Sequence, residues 1–247
     1  MTPSTTTRPR RRPTAAMLLV GLVLAACVES PPPIEGDDLD RELEQLAALD
    51  LAAPAATSVL RQAREITVRI RTLGCRQFGV GSGFVLPGGI VVTNRHVVDQ
   101  PVDVTVNTWD GRSLEARVDG VAVDSDLAIL RLQDASDLPV ANLRTDPVRA
   151  GEPIVVVGYP GGGPSTITTG TVVGMVRGEM LGEAADVVRI DAEIRQGNSG
   201  GPVLDQEGRV VAVVFALEID TGMGLAVPIQ VLMDRLDGTQ LAPPAGC

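Results

Sequence analysis

The 247-residue chain has no lysine, one histidine and almost no aromatic side chains. Each shortage narrows the reading. With aromatics at 2%, a core must be filled by Val, Ile, Leu and Ala, a set that suits short β-strands. Every basic residue is an arginine, 21 of them against 31 acids, for a formal net charge of −10. Four of these, Arg8, Arg10, Arg11 and Arg12, lie in the first 26 residues, and loss of that stretch takes the charge to −14. So acidic a protein argues against nucleic acid as a partner. A lone histidine supplies no ligand set for zinc. No metal and no cofactor are expected.

Long apolar runs are also missing, apart from one at the start. Arg8 to Arg12 form a basic segment, and Ala15 to Ala26 an apolar one of about a dozen residues, too short to span a bilayer as a mature helix. Together they read as an export signal. The run ends Leu24-Ala25-Ala26-Cys27, which resembles the bacterial lipobox. The resemblance implies cleavage before Cys27 and diacylglycerol on its thiol, anchoring the protein to a membrane outside the cytoplasm. An ordinary secretory signal with an incidental cysteine is the alternative. The chain has three cysteines. If Cys27 is lipidated, Cys75 and Cys247 remain, and an exported protein favours their pairing. Two free thiols are the other possibility.

Residues 28–36 are proline-rich and read as a stiff spacer. Asp37 to Leu51 carries Leu39, Leu43, Leu46 and Leu49 at helical spacing among many charges. It reads equally as a short amphipathic helix or an acidic tether. Ala52 to Thr57 reads as a break, and Ser58 to Arg64 as a short helix capped by Ser58. From there the pattern is β. Alternation from Glu65 to Leu73 predicts a half-buried strand, with Ile66, Val68 and Ile70 inward and Thr67, Arg69 and Arg71 outward. Strands are expected at 80–86, 89–93, 102–108, 114–123 and 127–132. A loop-rich stretch, 133–150, connects to a second group at 153–159, 166–176, 186–192, 202–205, 209–217 and 224–227. A closing helix is expected over 228–236. Two groups of six short strands joined once predict an all-β double barrel. Residues 160–163, Pro-Gly-Gly-Gly, read as a hairpin turn and not a phosphate loop, since no G-x-x-x-x-G-K-S/T pattern surrounds them.

The stretch Gly197-Asn198-Ser199-Gly200-Gly201 stands out. Glycine is conformationally costly to order, so glycines on both sides of a serine imply a sharp backbone bend with a purpose. A nucleophilic serine needs such a bend. The amides of Gly197 and Ser199 could then donate to an oxyanion. A plain glycine-rich turn before Val203 is the bland alternative. The pattern also fits the G-x-S-x-G elbow of α/β-hydrolases, but there the histidine follows the serine, whereas His96 precedes Ser199. His96 falls just past the strand 89–93, and imidazole is suited to take the serine proton near neutral pH. Asp126, at the mouth of the strand 127–132, could orient that ring. Asp124 is its competitor.

Three blocks, Thr93-Asn94-Arg95-His96-Val97-Val98, Asp126-Leu127-Ala128-Ile129-Leu130 and Gly197-Asn198-Ser199-Gly200-Gly201-Pro202-Val203, together resemble the triad blocks of the trypsin-like serine proteases. The likeness is greatest to the HtrA and MarP types. Gly81 to Val85, Gly158 to Gly161 and Gly222 to Pro228 extend it across residues 59–236. The resemblance implies a chymotrypsin-like double β-barrel with a short C-terminal helix. It implies His96 as base, Asp126 as orienter and Ser199 as nucleophile, with Gly197 and Ser199 supplying the oxyanion hole. By the same analogy Glu193, Ile194, Phe215 and Ala216 lie at the primary substrate pocket. Ile194 and Phe215 suggest an apolar pocket; an inward Glu193 would instead favour a basic residue. Arg95 stands where the family usually has Ala. A C-terminal PDZ domain, usual in HtrA proteases, is not expected in the residues after Leu236.

The expected organisation is a signal peptide (1–26), an acidic linker (27–57), a protease domain (58–237, barrels at about 58–133 and 151–237) and a tail (238–247). The expected function is an exported, lipid-anchored serine endopeptidase acting on proteins or peptides. A catalytically silent binding or chaperone-like module on the same fold is the alternative. Nothing in the residues fixes an oligomeric state. The anchor is tested by growing cells with a radiolabelled fatty acid. Wild type should incorporate label, and Cys27→Ser should stay in the aqueous fraction without it. Label retained by Cys27→Ser would contradict the lipobox reading.

Overall fold

The structure, a computed structural model, describes residues 53–177, 186–236 and 241–247. The export signal, the lipobox and the candidate helix Asp37–Leu51 lie outside the described residues.

Helix α1 spans Ala53–Ile66. It starts at Ala53, not Ser58, so the expected break is part of the helix. Ala53, Ala55 and Ala56 are strong helix formers, and Pro54 is tolerated in a first turn, where its missing N–H has no partner to lose. The helix buries Leu60, Ala63 and Ile66. Thr67 then begins the first strand, its hydroxyl donating back to the Ala63 carbonyl at 2.5 Å.

The strands are β1 (Thr67–Gly74), β2 (Phe78–Leu86), β3 (Ile90–Asn94), β4 (Pro101–Asn107), β5 (Ser113–Ala122) and β6 (Leu127–Leu132), then β7 (Asn142–Leu143), β8 (Pro153–Gly158), β9 (Thr166–Arg177), β10 (Asp186–Ala192), β11 (Pro202–Leu204), β12 (Arg209–Leu217) and β13 (Gly224–Pro228). Helix α2, Ile229–Leu236, follows. Strands β1 to β6 close a barrel in the order β1-β2-β3-β6-β5-β4, sealed by β1 against β4. The second sheet runs β11-β8-β9-β10-β13-β12-β7, and pairing of β11 with β12 closes its six long-range partners into a second barrel. Strand β7, unforeseen in the connecting stretch, lies parallel to β12 outside that ring.

Three apolar cores account for the composition. One fills barrel 1 with Val68, Ile70, Val91, Val106 and Leu130. One fills barrel 2 with Ile154, Val188, Ile190, Val211 and Val214. The third lies between the barrels, where Phe84 and Leu127 meet Val157, Leu204 and Val213, with α1 and α2 packed against it through Leu60, Ile66 and Leu232. This third core corrects one expectation. Thr67 and Arg69, assigned to an exposed face of β1, are buried. The alternation was right, but both faces of β1 are covered because barrel 2 packs on the outer one.

The connection between barrels is pinned by Arg144. Its guanidinium pairs with Glu152, reaches Asp205 at 3.3 Å and donates to the Pro147 carbonyl at 3.1 Å. The Arg144 hydrogen bond holds the Glu152 carboxyl below its ordinary range despite desolvation. The tail runs along barrel 1. Ala242 and Val121 exchange backbone hydrogen bonds of 2.8 and 2.9 Å. Cys247 is bonded to Cys75 in the β1–β2 turn, with Cα atoms 5.7 Å apart and 172 residues between them in sequence.

A cross-link closing so long a loop restricts the unfolded chain strongly. Cys247→Ser should therefore destabilise the protein by about 2–5 kcal/mol, read from urea unfolding of the oxidised proteins. Midpoints that coincide would show that the bridge contributes nothing.

Candidate active site

The site is built where β3, the β5–β6 corner and the loop before β11 converge. Strand β3 ends at Asn94, and a single-turn helix, Arg95–Val98, carries His96. Val97 and Val98 are buried beneath it and fix its seat. The β5–β6 corner is a tight turn, Val123–Ser125, that ends with Asp126 in the left-handed region (φ 52°, ψ 31°). Aspartate tolerates that conformation better than most residues. Here it turns the carboxylate inward, leaving Asp126 6% exposed.

The corner and the His96 turn are stitched together through both ends of Asp126. Its backbone carbonyl accepts from the Arg95 amide at 2.8 Å and from Asn94 Nδ2 at 3.0 Å. Its Oδ1 accepts from the His96 amide at 3.1 Å, and its Oδ2 lies 2.5 Å from His96 Nδ1. With Nδ1–H committed to the carboxylate, the ring's Nε2 carries the free lone pair. Arg95, the residue that departs from the resembled pattern, sets its Nε 3.6 Å from Asp126 Oδ1. Asp124 is excluded from this role. It faces solvent and pairs with Arg235 at 2.8 Å.

The serine loop is locked against both barrels. Gly197 (φ +102°) and Gly200 (φ +85°) hold conformations that L side chains rarely adopt. A Cβ on Gly197 would lie 2.5 Å from the Tyr159 carbonyl oxygen, and one on Gly200 would collide with the Ser82 carbonyl and the Thr93 hydroxyl. The same added Cβ would lie 3.1 Å from the Asn94 amide nitrogen, so the residue after Ser199 abuts the strand end that leads into His96. From the other side, Gly81 of β2 wedges between the Val97 side chain and the Ser199 carbonyl.

Backbone orientation in this loop is set carbonyl by carbonyl. The Gln196 carbonyl accepts from the Gly161 amide at 2.8 Å, and the Ser199 carbonyl from the Ser82 amide at 2.8 Å. The Gly197 carbonyl accepts from the Ser82 hydroxyl at 2.7 Å. The amides of Asn198, Gly200 and Gly201 are engaged by Arg195, Val214 and Asn198 carbonyls. Among the described residues, those of Gly197 and Ser199 donate to no protein acceptor. Two unengaged N–H groups beside a half-buried serine, with neighbouring carbonyls turned away, form a ready anion acceptor.

The pocket residues divide. Ile194 packs against Gly224 of β13 and joins the core of barrel 2. Phe215 sends its ring into the core between barrels, and Ala216 is half-buried beside it. Glu193 is exposed and paired with Arg195 at 2.5 Å. Sequence reasoning missed Ser82, Arg69 and Tyr159 as parts of this assembly. The signal for Ser82 was there: Gly81-Ser82-Gly83 repeats, in a strand, the serine flanked by glycines that marked Ser199. Among the described residues no group of His, Cys, Asp and Glu could hold a metal ion.

Residues 81–213 match the family model of the trypsin-like peptidase domain. The chain is 32% identical over 238 residues to the periplasmic pH-dependent serine endoprotease DegQ of Escherichia coli, covering 87% of this chain and 52% of that one. It is 36% identical over 162 residues to the serine protease Rv3671c of Mycobacterium tuberculosis, covering 62% and 40%. The chain thus spans about half or less of the length of these curated relatives. A crystal structure of the Rv3671c protease in its active form superposes with a TM-score of 0.70 at 31% identity, covering 79% of this chain and 90% of that one. The HtrA-type protease AlgW with a bound tripeptide gives 0.69 at 26% identity, covering 74% and 62%.

The locked glycines set a graded test. Gly111→Ala faces open space at φ +84° and should cost only the conformational penalty, about 1–2 kcal/mol. Gly200→Ala adds a steric collision and should cost about 2–5 kcal/mol. Chemical denaturation of both variants checks the order; equal losses would contradict the packing described for the serine loop.

Proposed function

Because the chain belongs to the family of trypsin-like peptidase domains, we propose that it is a serine endopeptidase, exported and held at the membrane by lipid on Cys27. One observation carries the catalytic reading. Asp126 orients the His96 imidazole, and the glycine-locked serine loop, with two unengaged amides, packs at Gly200 against the end of the strand that leads into His96.

The steps follow from these groups. Ser199 Oγ attacks the scissile carbonyl while its proton passes to His96 Nε2. Asp126 keeps Nδ1–H in place and stabilises the imidazolium that forms. The oxyanion accepts from the Gly197 and Ser199 amides, donors that need no reorganisation. Collapse breaks the C–N bond, and His96 returns the proton to the leaving amine. Water then attacks the acyl-enzyme, with His96 again as base, and regenerates Ser199. Protein or peptide substrates are the partners this chemistry requires. Ile194 packs on Gly224, and Glu193 is tied to Arg195 at the surface, which supports the apolar reading of the primary pocket. An apolar residue before the cleaved bond is therefore the preferred one.

Location is supported from two directions. The relative DegQ is described as periplasmic, and the leader ends in the lipobox-like Leu24-Ala25-Ala26-Cys27. Among the described residues no helix is long and apolar enough to cross a membrane.

The catalytic reading is tested with a fluorophosphonate probe. Wild type should be labelled on Ser199 and Ser199→Ala should not. Asp126→Asn should lower kcat by about 10⁴-fold, since the ring loses its tautomeric control. A folded wild type that takes no label and cleaves no unfolded protein would point instead to a silent binding module.

A further inference from the structure

The oxyanion loop is not self-supporting. Its far side leans on the turn between β8 and β9, Tyr159 to Gly163. Gly197 sits so close to the turn that a Cβ there would collide with the Tyr159 carbonyl and the Gly161 amide, and the Gly161 amide holds the Gln196 carbonyl at 2.8 Å. A trans peptide points its C=O and N–H in opposite directions. Fixing the Gln196 carbonyl therefore aims the Gly197 N–H. The β8–β9 turn is itself weakly determined. Gly161 and Gly162 both have positive φ, and three glycines in a row give it little intrinsic preference.

What steadies the turn comes from barrel 1. Arg69 on β1 is 5% exposed. Its Nη1 donates to the Gly162 carbonyl at 2.8 Å, its Nη2 reaches Asn107 Oδ1 at 3.3 Å, and its guanidinium lies 5.9 Å from the centre of the Tyr159 ring. Burial is the main influence on this group and works against its charge. An apolar side chain would fill the same space without a buried cation; what the cationic head adds is a donor that reaches the Gly162 carbonyl of the turn. Ser82 on β2 is fully buried and acts from the opposite side. Its hydroxyl accepts from the Tyr159 amide at 2.9 Å and donates to the Gly197 carbonyl at 2.7 Å. One oxygen atom thus joins the turn to the oxyanion loop.

We infer that Ser82 and Arg69 are positioning residues for the oxyanion hole: barrel 1 holds the β8–β9 turn, and the turn aims the Gly197 amide. Neither side chain touches the reacting atoms. The inference rests on the endopeptidase reading above. Its signature is a defect confined to the transition state, because substrate binding along the cleft does not pass through these two residues.

The test uses the full chain and a cleavable peptide amide selected from a library. Active sites are counted by fluorophosphonate titration, so that kcat refers to folded, reactive chains. For Ser82→Ala and Arg69→Met, kcat should fall by about 10- to 100-fold with KM changed by less than about twofold. Affinity for a peptide boronate of the same sequence should weaken by the same factor as kcat, since its tetrahedral adduct also uses the hole. Arg69→Lys, which keeps a cation able to reach the Gly162 carbonyl, should recover most of the loss. If one variant fails to fold, the other carries the test. Variants with wild-type kcat per titrated site, or a loss seen in KM with boronate affinity intact, overturn the inference alone. A folded wild type inert to probe and peptide takes down the endopeptidase reading, and this inference with it.

Discussion

Three carbonyl oxygens, those of Gln196, Gly197 and Ser199, are each drawn into the protein by a donor from another element. The rest of the site depends on this. A glycine-rich loop has no conformational preference strong enough to choose between presenting N–H groups and presenting C=O groups. Here the choice is made by tertiary hydrogen bonds, so a single loop is specified by both barrels at once. Two donors come from Ser82 in barrel 1, and the third from Gly161 in barrel 2. An anion site assembled this way exists only while the barrels are docked, and the core between them does the docking. Phe84, Leu127, Val157 and Leu204 are thus upstream of the chemistry without touching it.

Histidine orientation follows the same logic on the other side of the cleft. Asp126 receives bonds at its carbonyl and at both carboxylate oxygens from three successive residues, Asn94 to His96. Its left-handed backbone is a local strain accepted for that multiple engagement. Asp124, two residues earlier, has no such constraint and stays at the surface with Arg235. The difference between the two acids is one of backbone direction at a tight corner.

That contrast also shows what the residues alone could convey. Strand positions were legible because Val and Ile alternate with polar residues over short runs, and chain order excluded the α/β-hydrolase arrangement. His96, Asp126 and Ser199 were nameable because their neighbours carry the resemblance. Burial of Thr67 and Arg69 was not legible, since alternation reports one buried face and cannot see a second barrel arriving on the other. The start of α1 at Ala53, inside the stretch that reads as a break, is compatible with Pro54 because a proline in a first turn costs no hydrogen bond. Ser82 was legible only as part of the resembling strand segment Gly81 to Val85. Its importance lies in partners 77 and 115 residues away in sequence.

The central claim is that the imidazole of residue 96 and the hydroxyl of residue 199 work as one unit. The chain offers a clean way to see it, since His96 is the only histidine. Proton NMR with one equivalent of a peptidyl boronate reads that ring directly. The account predicts a single far-downfield Nδ1–H resonance that sharpens and shifts as the tetrahedral adduct forms on Ser199, and that is lost in Asp126→Asn. An adduct on Ser199 that leaves every His96 signal where it stood would contradict it.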